Sequence, residues 1–149
     1  MTTAPPTDSM TPDAMAALHA ACFATPRPWS AAEIVSLLAS PLCFVLTEPA
    51  GFLIGRVVAD EAELLTLAVD PKARQRGTGG RLVDAFLMAV QARGAESAHL
   101  EVSAANLPAQ SLYARKGFVQ KGRRVGYYHT PDGKKLDALL LMRALTVAL

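Results

Sequence analysis

The stretch from Leu67 to Gly80 constrains this chain more than any other. An apolar run, Leu67-Ala68-Val69, ends at Asp70-Pro71. Lys72, Arg74, Gln75 and Arg76 follow, then Gly77, Thr78, Gly79 and Gly80, and then an amphipathic pattern of helical period. A strand feeding a glycine-rich turn that opens a helix presents unpaired backbone N–H groups and the positive end of a helix dipole. Glycines let that backbone approach a ligand with no Cβ in the way. Lys72, Arg74, Arg76 and Arg81 add positive charge around the turn. The implied ligand is anionic and carries phosphate.

Spacing narrows the choice of ligand. The dinucleotide fingerprint needs G-x-G-x-x-G; Gly77 and Gly79 fit its first positions, but Leu82 stands at the third. The P-loop needs Lys-Ser or Lys-Thr after its last glycine, and none follows here. What remains is R-x-x-G-x-G, formed by Arg74, Gly77 and Gly79. Taken alone it also fits a plain glycine-rich turn with solvated arginines. The pattern resembles the pyrophosphate signature of the GNAT acetyltransferases, which bind acetyl-coenzyme A.

The 149 residues suit one domain, expected over residues 11–149 behind a flexible Thr/Pro-rich segment at 1–10. A 51% hydrophobic share is ample for a core. A net charge of +2 is too mild for a nucleic-acid partner held by a broad basic face. Basic residues gather instead at the glycine turn and in Lys116 to Arg124. Cys22 and Cys43 lie in apolar contexts without metal-ligand spacing, and read as reduced core residues of a cytoplasmic protein. No metal-ligand spacing, signal-peptide core or membrane-length apolar run is present, so neither a metal nor a membrane partner is expected. The oligomeric state is open, and a monomer is compatible with the sequence.

The order of elements reads ααβββαβαββ, a mixed α/β sheet. Thr11 caps a first helix reaching about Ala21, with Pro12 in its first turn. Ser30 and Glu33 form a capping box for a second. Strands are expected at Leu42–Thr47, Gly51–Ala59 and Glu63–Val69, joined by short turns that make them antiparallel neighbours. Leu82, Val83, Phe86, Leu87 and Val90 mark a helix over Gly79–Arg93, ended by Gly94. Ser97–Ser103 alternates as a strand. Asn106 is a candidate cap for a helix to Lys116, followed by Gly117. Final strands are expected over Phe118–Tyr127 and Leu136–Leu145, around Pro131-Asp132-Gly133.

Glu101 and Tyr113 are the candidate residues for chemistry. Strand interiors disfavour Glu, and Glu101 points away from Leu100 and Val102. It is either a solvated edge residue or a site residue. Tyr113 lies in an apolar helical stripe and fits a core role equally well. Beside an acyl-cofactor site they make a set: a carboxylate to take the amine proton, a phenol to serve the leaving thiolate, and backbone N–H groups at a strand bulge to polarise the carbonyl.

Leu100-Glu101-Val102, Asn106, Leu112-Tyr113 and Gly117-Phe118 look like the RimI type of GNAT enzyme, the ribosomal-protein N-terminal alanine acetyltransferases. Pro28-Trp29-Ser30, Tyr127-Tyr128 and Asp132-Gly133 extend the resemblance over roughly Pro12 to Leu145, in family order. The resemblance implies a GNAT fold and acetyl-coenzyme A as donor, with a protein N-terminus as acceptor. It implies Glu101 as general base and Tyr113 as general acid. Leu67, Ala68 and Val69 would hold the acyl arm by their backbone; Gln75, Arg76, Gly77, Thr78, Gly79 and Gly80 would hold the pyrophosphate, with Asn106 a further cofactor contact. Trp29 reads either as a wall of the acceptor groove or as a core plug, and Tyr127 and Tyr128 as gates of that groove. The chain departs from the family at Gln75 and Gly80, often basic there, and at Ser103, often arginine. The segment before Thr11 lacks the β-branched run of the family's first strand, so that strand is expected to be absent or very short.

Proton chemistry favours an α-amino acceptor. Deprotonation at pH 7 costs roughly 1 kcal/mol for an α-amine and roughly 5 kcal/mol for a lysine. Neither cysteine neighbours a candidate base, so direct attack is expected rather than an acetyl-enzyme. Two alternatives stay open: transfer to lysine or small amines, and a non-catalytic acyl-coenzyme A-binding module. Glu61 and Glu63 read as hairpin-edge residues. His19 reads as surface or helix-face packing, His99 as a possible cleft residue and His129 as loop.

Overall fold

The structure, a computed structural model, describes residues 10–24 and 27–145. Helices α1 (Pro12–Cys22) and α2 (Ala31–Leu38) precede strands β1 (Cys43–Glu48), β2 (Gly51–Val58) and β3 (Glu61–Val69). Helix α3 (Thr78–Ala92), strand β4 (Ser97–Ser103), helix α4 (Leu107–Arg115) and strands β5 (Val119–His129) and β6 (Lys135–Ala144) complete the order. The mixed α/β expectation holds element by element. His129 ends β5 rather than lying in a loop. The expectation about the first strand falls on residues outside those described.

Local chemistry accounts for the element ends. The Thr11 hydroxyl accepts the Ala14 N–H, and Ser30 and Glu33 exchange the reciprocal bonds of a capping box. Such caps are worth about 1 kcal/mol each. Gly94 and Gly117 follow α3 and α4 with φ near +88°, where a Cβ would be strained.

The six strands run β1-β2-β3-β4-β6-β5. All pairs are antiparallel except β3 and β4, which are parallel and joined through α3. Strand alternation divides the core between the faces of the sheet. Leu53, Leu64 and Leu100 pack with Leu82, Val83, Phe86 and Val90 of α3. Phe52, Ile54 and Ala68 pack with Met15 of α1 and Ile34 of α2. Each fully buried aliphatic or phenylalanine side chain contributes about 1.5–3 kcal/mol. Among the described residues no helix is long and apolar enough to cross a membrane.

The sheet splits along its middle. β3 and β4 pair only from Glu61–Ser97 to Glu63–His99. Beyond that, β3 stays with β2 as far as Val69, and β4 stays with β6 as far as Ser103. A bulge accompanies the split: Ile54 pairs with Thr66 and Gly55 with Leu64, leaving Leu65 extra on β3. Such a bulge bends its strand and increases its twist. The facing edges of 64–69 and 100–103 are therefore left without a strand partner.

Candidate active site

The split opens into a cavity of about 1400 Å³. Leu67 and Val69 line one side, Glu101 and Val102 the other, and Gly77 to Gly80 close one end. Arg74, Gln75, Asn106, Tyr113, Trp29, Tyr127 and Tyr128 also line it. Distant parts of the sequence thus meet around one cavity.

At the glycine end the backbone builds the site. Gly77 caps α3 with φ +80° and no side-chain hydrogen bond. The first helical bond is from the Arg81 N–H to the Gly77 carbonyl. The N–H groups of Thr78, Gly79 and Gly80 belong to the first turn and have no partner within the helix. Gln75 also takes positive φ, +66°. A Cβ at Gly79 would come within 3.1 Å of Leu112 Cδ2 on α4, so glycine also permits the two helices to approach.

The charge around this turn differs from the expectation. Arg81 is tied to the Glu48 carboxylate at 2.8–3.1 Å and to the Arg76 carbonyl at 3.0 Å. It braces the turn rather than offering a free cation. Arg76, expected among the cofactor residues, does not line the cavity, and neither does Lys72. Arg74 does, and Arg115 at the end of α4 joins it. Ala68, expected with Leu67 and Val69, has its methyl in the core against α1 and α2, because its neighbours take the cavity side of β3.

Asn106 serves α4 and the cavity together. Its Oδ1 accepts the Ala109 N–H at 3.2 Å, so its amide N–H groups are the part that can donate elsewhere. Gln110 donates to the carbonyls of Ser103 and Ala104 and fixes the turn from β4 into α4. Tyr113 is 6% exposed and packs edge to face on Phe118. Among the described residues its hydroxyl has no hydrogen-bond partner. Burial pushes its phenol well above the usual range, which keeps it protonated.

At the opposite end the site is built of side chains. The Glu101 carboxylate lies 3.3 Å from the Arg124 guanidinium, which also covers the Tyr127 ring at 4.9 Å. Tyr127 and Tyr128 meet edge to face. Burial, then the charge of Glu101, raises the Tyr128 phenol. Glu63 lines the cavity while paired to Arg56 at 2.6 Å. His99 shares its face with Glu101 but bonds Ser97 at 2.9 Å and does not line the cavity.

His19, Cys22, Thr66 and Arg124 line the cavity without having been singled out for it. His19 is 1% exposed, so helix-face packing and not the surface is its setting. The Trp29 N–H donates to its Nδ1 at 3.1 Å. Its Nε2 therefore carries the proton and donates to Thr66 Oγ1 at 3.1 Å. Phe23 and Trp29 stack on the imidazole. Burial lowers its pKa to about 4, against the opposing pull of Glu33. Cys22 is half-buried rather than core, its thiol donating to the Val69 carbonyl at 3.1 Å. A threonine in an apolar strand and the basic run ending at Arg124 were the available signals for Thr66 and Arg124.

The protein-family model of the acetyltransferase (GNAT) family matches residues 12–118. The chain is 37% identical over 135 residues to the ribosomal protein bS18-alanine N-acetyltransferase of Escherichia coli (strain K12), covering 88% of this chain and 90% of that one. The enzyme of the same name from Haemophilus ducreyi is 40% identical over 90 residues, covering 60% and 62% of the respective chains. Among solved structures, the ribosomal-protein-S18-alanine N-acetyltransferase from Escherichia coli superposes with a TM-score of 0.80 at 32% identity, over 90% of this chain and 87% of that one. Arabidopsis thaliana NAA60, at 19% identity and a TM-score of 0.79 over 91% and 94%, shares the fold. Cavity, glycine turn and relatives agree, and the chain belongs to the acetyltransferase (GNAT) family.

Proposed function

We propose that this acetyltransferase moves the acetyl group of acetyl-coenzyme A onto the α-amino group of a protein, an alanine-first ribosomal protein being the preferred acceptor. The observation that carries the reading is one continuous cavity joining the α3 N-terminus to the Glu101 carboxylate along the unpaired edge of β3. The bS18-alanine N-acetyltransferase activity named for the Escherichia coli relative supports the choice of acceptor. In this reading residues 11–149 form one cytoplasmic catalytic domain.

The cavity suits the donor. Its pyrophosphate meets the free N–H groups of Thr78, Gly79 and Gly80, a helix N-terminus being a ready anion site. Its arm carries amide groups, which can pair with the open edge of β3 as a further strand would. Asn106 supplies amide donors beside it. Arg74 and Arg115 supply charge at a turn where Gln75 and Gly80 have none.

The reaction needs no covalent enzyme intermediate. The amine nitrogen attacks the thioester carbon, the C–N bond forms and the C–S bond breaks. Glu101 accepts the amine proton, directly or through a water; the leaving thiolate takes a proton from solvent, and Glu101 later returns its own to solvent. Tyr113 is a weaker acid than free tyrosine because it is buried. It therefore assists the thiolate chiefly as a hydrogen-bond donor.

Incubation with acetyl-coenzyme A and peptides of varied first residue, some with an internal lysine, followed by mass spectrometry, tests the proposal. The acetyl group is expected on the α-amine of alanine-first peptides. Transfer only to lysine side chains, or cofactor binding with no transfer at all, would refute it.

A further inference from the structure

β5 and β6 leave even register beside Glu101. Arg124 pairs with Ala138 and Tyr128 with Leu136, so Val125, Gly126 and Tyr127 stand opposite Asp137 alone. In a regular strand alternate residues face opposite sides, so Tyr127 and Tyr128 would part. Here Arg124, Tyr127 and Tyr128 all line the cavity. The extra residues bend the strand and re-aim these side chains.

Asp137 holds that bend. Its Oδ1 accepts the Gly126 N–H at 2.8 Å and its Oδ2 accepts from Arg123 Nη1 at 2.6 Å. Its carbonyl accepts the Ala104 N–H at 2.9 Å, just past the end of β4. Gly126 sits at φ +60°, a conformation that suits glycine. The Gly126 N–H first, then Arg123, keeps the Asp137 carboxyl below the usual carboxylate range. Asp137 itself does not line the cavity.

We propose that Asp137 is a positioning residue whose carboxylate locks the β5 bulge and so gathers Arg124, Tyr127 and Tyr128 into the acceptor wall. This rests on the acceptor reading above. The donor end is built on β3, α3 and α4, elements that the clamp does not touch. Its loss bears on the acceptor and spares the cofactor.

The test uses the whole enzyme and three variants: Asp137→Ala, Asp137→Asn, and deletion of Val125 and Gly126, which restores even register between Arg124 and Tyr128. Peptide KM and kcat are measured beside the equilibrium Kd for acetyl-coenzyme A. Asp137→Ala is expected to raise peptide KM roughly tenfold or more, with the cofactor Kd within about twofold. Asp137→Asn keeps an oxygen for Gly126 and recovers part of the loss. The deletion reproduces the Asp137→Ala effect with cofactor binding intact. Unchanged peptide KM in Asp137→Ala and in the deletion overturns the proposal, and so does equal weakening of both ligands. Failure of the wild type on every α-amine refutes the acceptor reading instead; the same comparison is then made with whichever amine it does acetylate.

Discussion

The two ends of the cavity are made of different materials. In the proposed reading the donor end binds through main-chain N–H groups, shaped by Gly77 at φ +80° and by the open edge of β3. In the same reading the acceptor end binds through the side chains of Glu101, Arg124, Tyr127, Tyr128 and Trp29, which line the cavity from β4, β5 and the turn before α2. A backbone site tolerates many side-chain changes but not a change in backbone conformation. A side-chain site can be retuned residue by residue. One fold can therefore keep its donor while its acceptor varies.

Substitutions that hit one end and spare the other put this division to the test. The largest effect is expected at Glu101. Glu101→Gln should lower kcat about 100-fold or more, in the range for loss of a general base, with the acetyl-coenzyme A Kd nearly unchanged. Steady-state kinetics and calorimetry check both halves, and an active variant would move the base elsewhere. Tyr113→Phe should lower kcat about tenfold, again without weakening the cofactor, as fits a hydrogen bond to the departing sulfur. Gly77→Val should do the reverse. Its side chain meets a cost of about 1–2 kcal/mol in the left-handed region, so cofactor affinity should fall up to about thirtyfold while the acceptor KM holds.

The smallest effect on turnover is expected at His19, where the response is in stability. Its folded pKa of about 4 lies below the ordinary 6.5. The unfolded chain then binds more protons between these values, so stability is present above pH 6.5 and is lost as pH falls towards 4. Denaturant titrations at pH 7 and pH 5 should differ by about 2 kcal/mol from this group. His19→Gln should remove that difference. A variant with the wild-type pH dependence would break the link between the buried imidazole and the Trp29 wall.

The same contrast explains what was legible in the sequence. Gly77, Gly79 and Arg74 point to the proposed donor end because a backbone site leaves its mark in local glycine spacing. Glu101 and Tyr113 stood out through a strand that disfavours Glu and through family likeness. The charge environment did not show. Nothing local says that Glu48, 33 residues before Arg81, occupies that guanidinium. His19 and Thr66 are 47 residues apart, and only the packing of α1 on β3 makes them partners. The β5 bulge left one local sign, Gly126 inside the strand, but its register is set across the sheet by Asp137. Interactions within one turn of chain were readable, and those set by sheet register were not.

A crystal structure with a bisubstrate analogue, coenzyme A joined to an alanine-first peptide, tests the division most directly. The account predicts the pyrophosphate on the N–H groups of Thr78 to Gly80 and the arm between β3 and β4. The peptide should leave past Glu101 between Trp29 and the Tyr127–Tyr128 pair. A pyrophosphate away from the α3 N-terminus, or a peptide leaving with no contact to the β5 bulge, would contradict it.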